Sequence, residues 1–313
     1  MKTVSVALCT YNGEKYLSQQ IESIINQSYS ASEIIICDDC STDGTIHILE
    51  KYKEFWPFIK VYKNEKQLGF KKNFEKAALL CVCDYVVFAD QDDVWTTHHI
   101  QVLVDSIGND LLSCGNSLFV DENLKSLDFT MCQIKHIKNI PSKAENFLFP
   151  LLYNGNFFQG ACMMVKRDFL NIAFPIPDFC KYHDAWLALS ASVFESIHFT
   201  NEIINYYRQH SSSITTKTKK IYLPNDITSS MHKVGNIKVC DILCDRYNIK
   251  SHSVMTILDV YKHYCTLCQK KKFISALRIR FDHYKEIYTT NSYLYFLPRI
   301  IHEILTPARM IEY

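Results

Sequence analysis

Asp90-Gln91-Asp92-Asp93 places three carboxylates within four residues, directly after the apolar run Tyr85–Ala89. A second acidic pair, Asp38-Asp39, follows the apolar run Ile34–Cys37. In an open α/β sheet, ligands bind beyond the carboxyl ends of the strands. Carboxylates gathered there repel one another in an empty site. A hard divalent cation with oxygen ligands removes that repulsion, and a nucleoside diphosphate fills the coordination positions that the protein leaves open. The competing reading is an acidic turn with helix caps. It suits Asp43 in Ser41-Thr42-Asp43-Gly44 but not the D-Q-D-D cluster, because no basic residue lies near it in the sequence. The glycine-rich dinucleotide fingerprint is absent, since Thr10-Tyr11-Asn12-Gly13 follows the first apolar run. There is no Walker A lysine loop either. The pattern argues against dehydrogenases and P-loop NTPases and for a transferase that holds a diphosphate mainly through a metal.

These acids need strands to carry them. Val4–Cys9 reads as a buried strand, and Leu17, Ile21, Ile24 and Ile25 then recur on one helical face. Ile34–Ile36 is a second strand. Asp43 caps the helix that follows. Ile59–Tyr62 is a third strand, Phe74, Ala77, Ala78 and Cys81 mark a further helix, and Asp84–Ala89 is a fourth strand. This alternation predicts a parallel sheet covered by helices. Further strands are expected near 111–120, 161–165 and 197–207, with a helix from His183 to about Phe194. Ser211–Lys220 is rich in Ser, Thr and Lys and reads as a loop. The remainder reads as helical.

The ordered motifs resemble family 2 glycosyltransferases. Val6-Ala-Leu-Cys-Thr-Tyr-Asn-Gly13, Glu33-Ile-Ile-Ile-Cys-Asp-Asp-Cys-Ser-Thr-Asp-Gly-Thr45, Gly69 before Asn73, and Ala89-Asp-Gln-Asp-Asp-Val-Trp95 carry the likeness. Gly160, His183-Asp184-Ala185-Trp186 and Tyr207-Arg208-Gln209-His210 resemble the rhamnosyltransferase-like branch. The match runs over about residues 3–212. The resemblance implies an inverting enzyme of the GT-A fold: a Rossmann-like mixed sheet with helices on both faces, plus a helical C-terminal extension. It implies a catalytic domain at 1–212, with a donor half to about 107 and an acceptor half from about 108, and a helical region at 213–313.

It also implies roles. Thr10 and Tyr11 line the nucleotide pocket, and Asp39 hydrogen-bonds the base. Asp90 and Asp92 form the D-x-D, with Asp92 the direct metal ligand and Asp93 supporting it or facing the sugar. Asp184 is the catalytic base. Many relatives carry an acidic pair there, where this chain has His183-Asp184. Arg208 and His210 lie in a loop closing over the diphosphate. The cofactors implied are Mn²⁺ or Mg²⁺ and a donor such as a UDP- or dTDP-sugar. The acceptor implied is a saccharide or lipid-linked saccharide of bacterial surface polysaccharide synthesis. Two other readings use the same acids: a nucleotidyltransferase, and a non-catalytic sugar- or nucleotide-binding subunit of the same fold.

The bulk properties fit. The chain has 313 residues, 48% hydrophobic and 21% charged, with a formal net charge of +1. A sizeable core is expected, and nucleic acid is not expected as a partner. The opening residues do not form a signal peptide, and no run reaches the ~20 apolar residues of a membrane span. The 13 cysteines are therefore expected as small core residues in a reducing cytoplasm. In the tail, Lys270-Lys271-Lys272, Arg278 and Arg280 border Ile274, Leu277 and Phe281, which recur at helical spacing. Tyr293, Tyr295, Phe296, Leu297 and Arg299-Ile300-Ile301 follow. Such a face suits either packing on protein or peripheral docking on the anionic inner face of the cytoplasmic membrane.

Overall fold

The structure is a computed structural model that describes residues 2–135, 137, 139–141, 147–210, 236–270 and 272–288. The chain divides into two compact units. The first comprises 1–131, 158–187 and 198–221, and the second 132–157, 188–197 and 222–313. Segments 132–157 and 188–197, which the sequence places in the acceptor half, thus group with the C-terminal helices. The Ser211–Lys220 loop and the residues from Tyr293 to Ile301 lie outside the described residues.

The first unit is built on β1 (Val4–Thr10), β2 (Glu33–Asp38), β3 (Ile59–Lys63), β4 (Tyr85–Asp90), β5 (Val94–Trp95), β6 (Leu112–Val120), β7 (Ser126–Thr130), β8 (Met163–Lys166) and β9 (Ile197–Arg208). They form one sheet in the order β3-β2-β1-β4-β8-β6-β9-β5, with β7 paired to β6 off this path. β3, β2, β1 and β4 are parallel, and β8 joins β4 in antiparallel fashion. The sheet is therefore mixed, with helices on both faces, as the resemblance implies. Every residue of β1 and β2 is buried, as expected of central parallel strands covered on both sides. At the edge, β3 is buried only at Ile59.

Helices α1 (Leu17–Ile25), α2 (Thr45–Phe55), α3 (Phe70–Leu80), α4 (His99–Ile107) and α7 (Arg167–Ala173) pack against these strands. On α1, Leu17, Ile21 and Ile24 are buried, the face that the spacing predicts. The N-cap of α2 is Gly44 rather than Asp43, which lies one residue earlier and accepts from Thr45 N at 3.0 Å. Strand β6 falls where a strand is expected, whereas β7 and helix α4 are additions to that reading, although Ile100, Leu103 and Ile107 on α4 recur at helical spacing and are buried. Helix α8 (His183–Val193) begins at the expected residue.

The second unit contains α6 (Leu148–Asn154), α9 (Asn236–Tyr247), α10 (His252–Gln269), α11 (Phe273–Asp282) and α12 (Tyr284–Tyr288), while α5 (Met131–Ile134) bridges the division. Arg280, counted above with the basic face, is instead buried against the Tyr153 and Tyr264 rings. Ile274 and Phe281 on α11 are exposed. Among the described residues no helix is long and apolar enough to cross a membrane. None of the 13 cysteines is in a disulfide.

Candidate active site

Three parallel strands end side by side: β1 at Thr10, β2 at Asp38 and β4 at Asp90. The loops after β1 and β2 are bonded together. Asn12 N donates to Ser41 Oγ at 2.9 Å, Thr42 N to Asn12 Oδ1 at 2.8 Å, Gly13 N to Thr45 Oγ1 at 2.8 Å and Glu14 N to Asp43 Oδ2 at 3.1 Å. The two opening motifs therefore fold as one platform.

Within it each β2 acid accepts three hydrogen bonds. Asp38 accepts from Thr10 Oγ1 at 2.8 Å, Ser41 N at 2.9 Å and Ser41 Oγ at 2.5 Å. Asp39 accepts from Leu68 N at 2.7 Å, Gly69 N at 2.8 Å and Asn64 Nδ2 at 2.8 Å. Gly69 has φ +79°, a backbone state open to glycine at little cost, and this turn aims both amides at Asp39. Asn64 continues the network to Asn73 and Lys76. Asp38 and Asp39 are thus balanced by donors rather than pooled with the β4 acids around one cation. The hydroxyl of Thr10 is committed to Asp38, whereas Tyr11 is 45% exposed at the strand end.

The β4 acids are in a different state. Burial, then the neighbouring Asp92 and Asp184, push the Asp90 carboxyl up to about 8. No donor among the described residues hydrogen-bonds it. Asp92 Oδ2 lies 2.8 Å from His210 Nε2. Asp93 is fully buried, accepting from Asn205 Nδ2 at 2.7 Å and Arg208 N at 3.1 Å. Burial, then Asp92 and Asp90, raise its carboxyl well above the usual range. Asp184, at the start of α8, accepts from Ala185 N at 2.6 Å and Gly160 N at 3.3 Å. Its charge helps raise Asp90, so Asp184 belongs to the same acidic cluster.

The end of β9 fastens this loop. Arg208 Nε donates to the Asp92 carbonyl at 2.8 Å, Nη1 to the Glu122 carbonyl at 2.6 Å and Nη2 to Gln19 Oε1 at 2.7 Å. Its guanidinium lies 4.5 Å from the Tyr16 ring centroid, and the His210 ring is 4.8 Å from the same ring. Arg208, buried to 2% exposure, thus braces the acid loop through main-chain oxygens. Sequence reasoning missed Asn205, Tyr16, Gln19 and Gln91. Of these only Gln91, inside the motif, carried any signal.

Among the described residues no three His, Cys, Asp or Glu side chains form a closed metal cage. Asp90 and Asp92 offer a partial, all-oxygen donor set, with Asp92 paired to His210 and Asp90 without a donor among the described residues. That fits an ion such as Mg²⁺, which binds one or two carboxylates and takes its other ligands from phosphate and water.

A mixed sheet with its acids at the parallel strand ends is the GT-A class of nucleotide-diphospho-sugar transferases. Residues 5–172, more than half of the chain, match the model for glycosyl transferase family 2, and the chain belongs to that family. It is 25% identical over 240 residues to the UDP-Glc:alpha-D-GlcNAc-diphosphoundecaprenol beta-1,3-glucosyltransferase WfaP of Escherichia coli, covering 74% of this chain and 87% of that one. With several other curated relatives the match spans less than half of the relative's length. The crystal structure of S. aureus TarS 1-349 with UDP-GlcNAc superposes with a TM-score of 0.60 at 17% identity, over 99% of this chain and 82% of that one. The mannosyltransferase PcManGT of Pyrobaculum calidifontis, in complex with GDP-Man and Mn²⁺, gives 0.54 at 16% identity, over 97% and 87%.

Proposed function

We propose that this chain transfers a sugar from a nucleotide-diphosphate donor to a hydroxyl of a saccharide acceptor, with inversion at the anomeric carbon. The observation that carries this reading is the β4 strand end: among the described residues Asp90 has no hydrogen-bond donor, and Asp92 and Asp184 lie close enough to raise it. Asp92 and Asp90 would hold a divalent cation, Mn²⁺ or Mg²⁺. Asp93, bonded to Asn205 and Arg208, supports the loop from behind. When bound, the cation offsets the charge that develops on the leaving diphosphate.

The chain's own residues do the rest. An alcohol is a weak nucleophile at neutral pH, so a carboxylate must take its proton as the new bond forms. Asp184 is that base. Its carboxylate is oriented by Ala185 N and Gly160 N. Attack from the face opposite the diphosphate inverts the anomeric centre. Tyr11 contributes to the nucleoside pocket. Asp39, held by the 64–69 loop, keeps acceptor capacity on Oδ2 for the nucleoside base, and Thr10 lines the pocket while bonded to Asp38. His210 holds Asp92 in place, and Arg208 holds the loop that carries it.

The donor class is a UDP- or dTDP-sugar. The E. coli relative, by its name, acts on a diphosphoundecaprenol-linked saccharide. A lipid-linked acceptor of this kind, used in surface polysaccharide synthesis, would bring the enzyme to the inner face of the cytoplasmic membrane. Exposed Lys270, Lys272 and Arg278 beside exposed Ile274 and Phe281 suit such peripheral docking. The test is a screen of UDP- and dTDP-sugars for diphosphate release, with Mn²⁺, with Mg²⁺ and with chelator. Release that requires the cation and vanishes in Asp92→Asn is expected. Metal-dependent nucleotide binding with no turnover on any donor or acceptor would leave a binding subunit. Pyrophosphate release from a nucleoside triphosphate would identify a nucleotidyltransferase.

A further inference from the structure

Gln91 lies between Asp90 and Asp92, yet its side chain serves the neighbouring strand. Tyr11 N donates to Gln91 Oε1 at 2.8 Å, and Gln91 Nε2 donates to the Tyr11 carbonyl at 3.0 Å. The parallel pairing of β1 with β4 stops at Cys9 and Asp90. Beyond that point the Gln91 amide presents one acceptor and one donor to a single residue of the other chain segment. The side chain thereby extends the ladder past the last paired residues.

Gly13 supplies a second observation. A Cβ on Gly13 would lie 2.2 Å from Gln91 Oε1 and 2.6 Å from Gln91 Cδ, far inside contact distance. Left-handed backbone does not explain this glycine, because its φ is not among the positive values. Nor can its backbone easily retreat. Gly13 N is bonded to Thr45 Oγ1 at 2.8 Å, and its carbonyl accepts from Tyr16 N and Leu17 N at 3.1 Å each. The glycine leaves room for the amide.

We propose that Gln91 is a positioning residue, whose amide locks the Tyr11 backbone to the Asp90–Asp92 loop and so sets the nucleoside end of the donor site relative to its diphosphate end. This rests on the nucleotide-sugar reading above. A nucleoside diphosphate spans both ends, so its binding energy is fully realised only when their separation is fixed in advance. Both bonds join main chain to a neutral amide, so a charged substitute cannot serve. Gln91→Glu would set a carboxylate oxygen against the Tyr11 carbonyl.

The experiment uses the full-length chain, with UDP and dTDP plus Mn²⁺ as probes in titration calorimetry. Gln91→Leu, Gln91→Ala and Gly13→Ala should each raise the nucleotide Kd about tenfold, the size expected for two net hydrogen bonds. Donor KM should rise in step, with a smaller change in kcat. The double variant Gly13→Ala/Gln91→Ala should bind about as Gln91→Ala does, because the clash partner and the clamp are one group. Hydrogen exchange of the Tyr11 amide should speed up in Gln91→Leu, a readout that needs no nucleotide. Unchanged nucleotide affinity in Gln91→Leu, additive losses in the double variant, or unchanged Tyr11 exchange would each overturn the positioning role. Failure of the wild-type chain to bind either nucleotide would overturn the donor reading itself.

Discussion

The ends of β2 and β4 both carry adjacent aspartates, and the fold treats them oppositely. Asp38 and Asp39 receive six hydrogen bonds from side chains and main-chain amides of the loops around them. Asp90 receives none among the described residues and faces two further carboxylates. A carboxylate met by fixed donors is part of the architecture. One met only by other carboxylates stores repulsion that a ligand can relieve. Composition is therefore a poor guide to which acidic pair is functional, and the count of donors is a good one.

The largest effect separating the two ends should come from Asp92. Asp92→Ala should abolish transfer and weaken nucleotide-diphosphate binding while melting at or slightly above the wild-type temperature, since one repelling charge is gone. Turnover near wild type would erase the distinction between the ends. Asp184→Asn should keep donor affinity and lower kcat by about 10²–10⁴, the usual worth of a general base. An equal loss of donor affinity would move Asp184 into the donor site. The β2 end should answer in stability instead. Asp39→Ala orphans Leu68 N and Gly69 N and removes one of the two acceptors of Asn64 Nδ2, and urea unfolding should show a loss on the order of 3 kcal/mol. Asp90→Asn should by contrast leave the protein as stable as wild type or more so. A destabilised Asp90→Asn would mean that β4 is as architectural as β2.

An effect absent at neutral pH and present only in acid concerns His183, the neighbour of Asp184. Its ring stacks on Phe74 with centroids 4.2 Å apart, and burial pushes its pKa down to about 3 from an ordinary 6.5. The folded state thus favours the neutral ring. The stability this gives is fully present above about pH 6.5 and is lost as pH falls toward 3. His183→Leu should flatten the acid limb by up to about 1.4 kcal/mol per pH unit, measured as melting temperature against pH. His99, likewise held near 3, keeps a residual slope in the variant. An unaltered slope would place the His183 ring in contact with water.

Much of the scaffold was legible because it rests on local pattern. Val4–Cys9, Ile34–Ile36 and Tyr85–Ala89 are apolar runs that only a covered strand can use, and their acids fall where such strands end. The hairpin at Ser126–Thr130 was not legible, since that strand has no buried residue to set a pattern. Nor was the brace made by Arg208, which joins residues far apart in the sequence, from Gln19 to Glu122. The motif placed Arg208 over a diphosphate. Its three side-chain hydrogen bonds to protein oxygens, with burial to 2% exposure, arise only once β9 returns beside the acid loop. Long-range polar networks of this kind leave no period in a sequence.

The open sheet also has consequences for how the protein behaves when concentrated. An unpaired strand edge invites another chain to add to it, and long flat edges seed aggregation. Here the path through the sheet ends at β3, which carries Lys60 and Lys63, and at β5, which is only two residues long. A charged edge and a stunted one are poor templates for intermolecular pairing. Lys60 is further occupied by Glu33 at 2.8 Å, and Lys63 by Glu50 at 2.9 Å. The residues that border the fold thereby favour colloidal solubility, a property that exchanging both lysines for valine would be expected to erode.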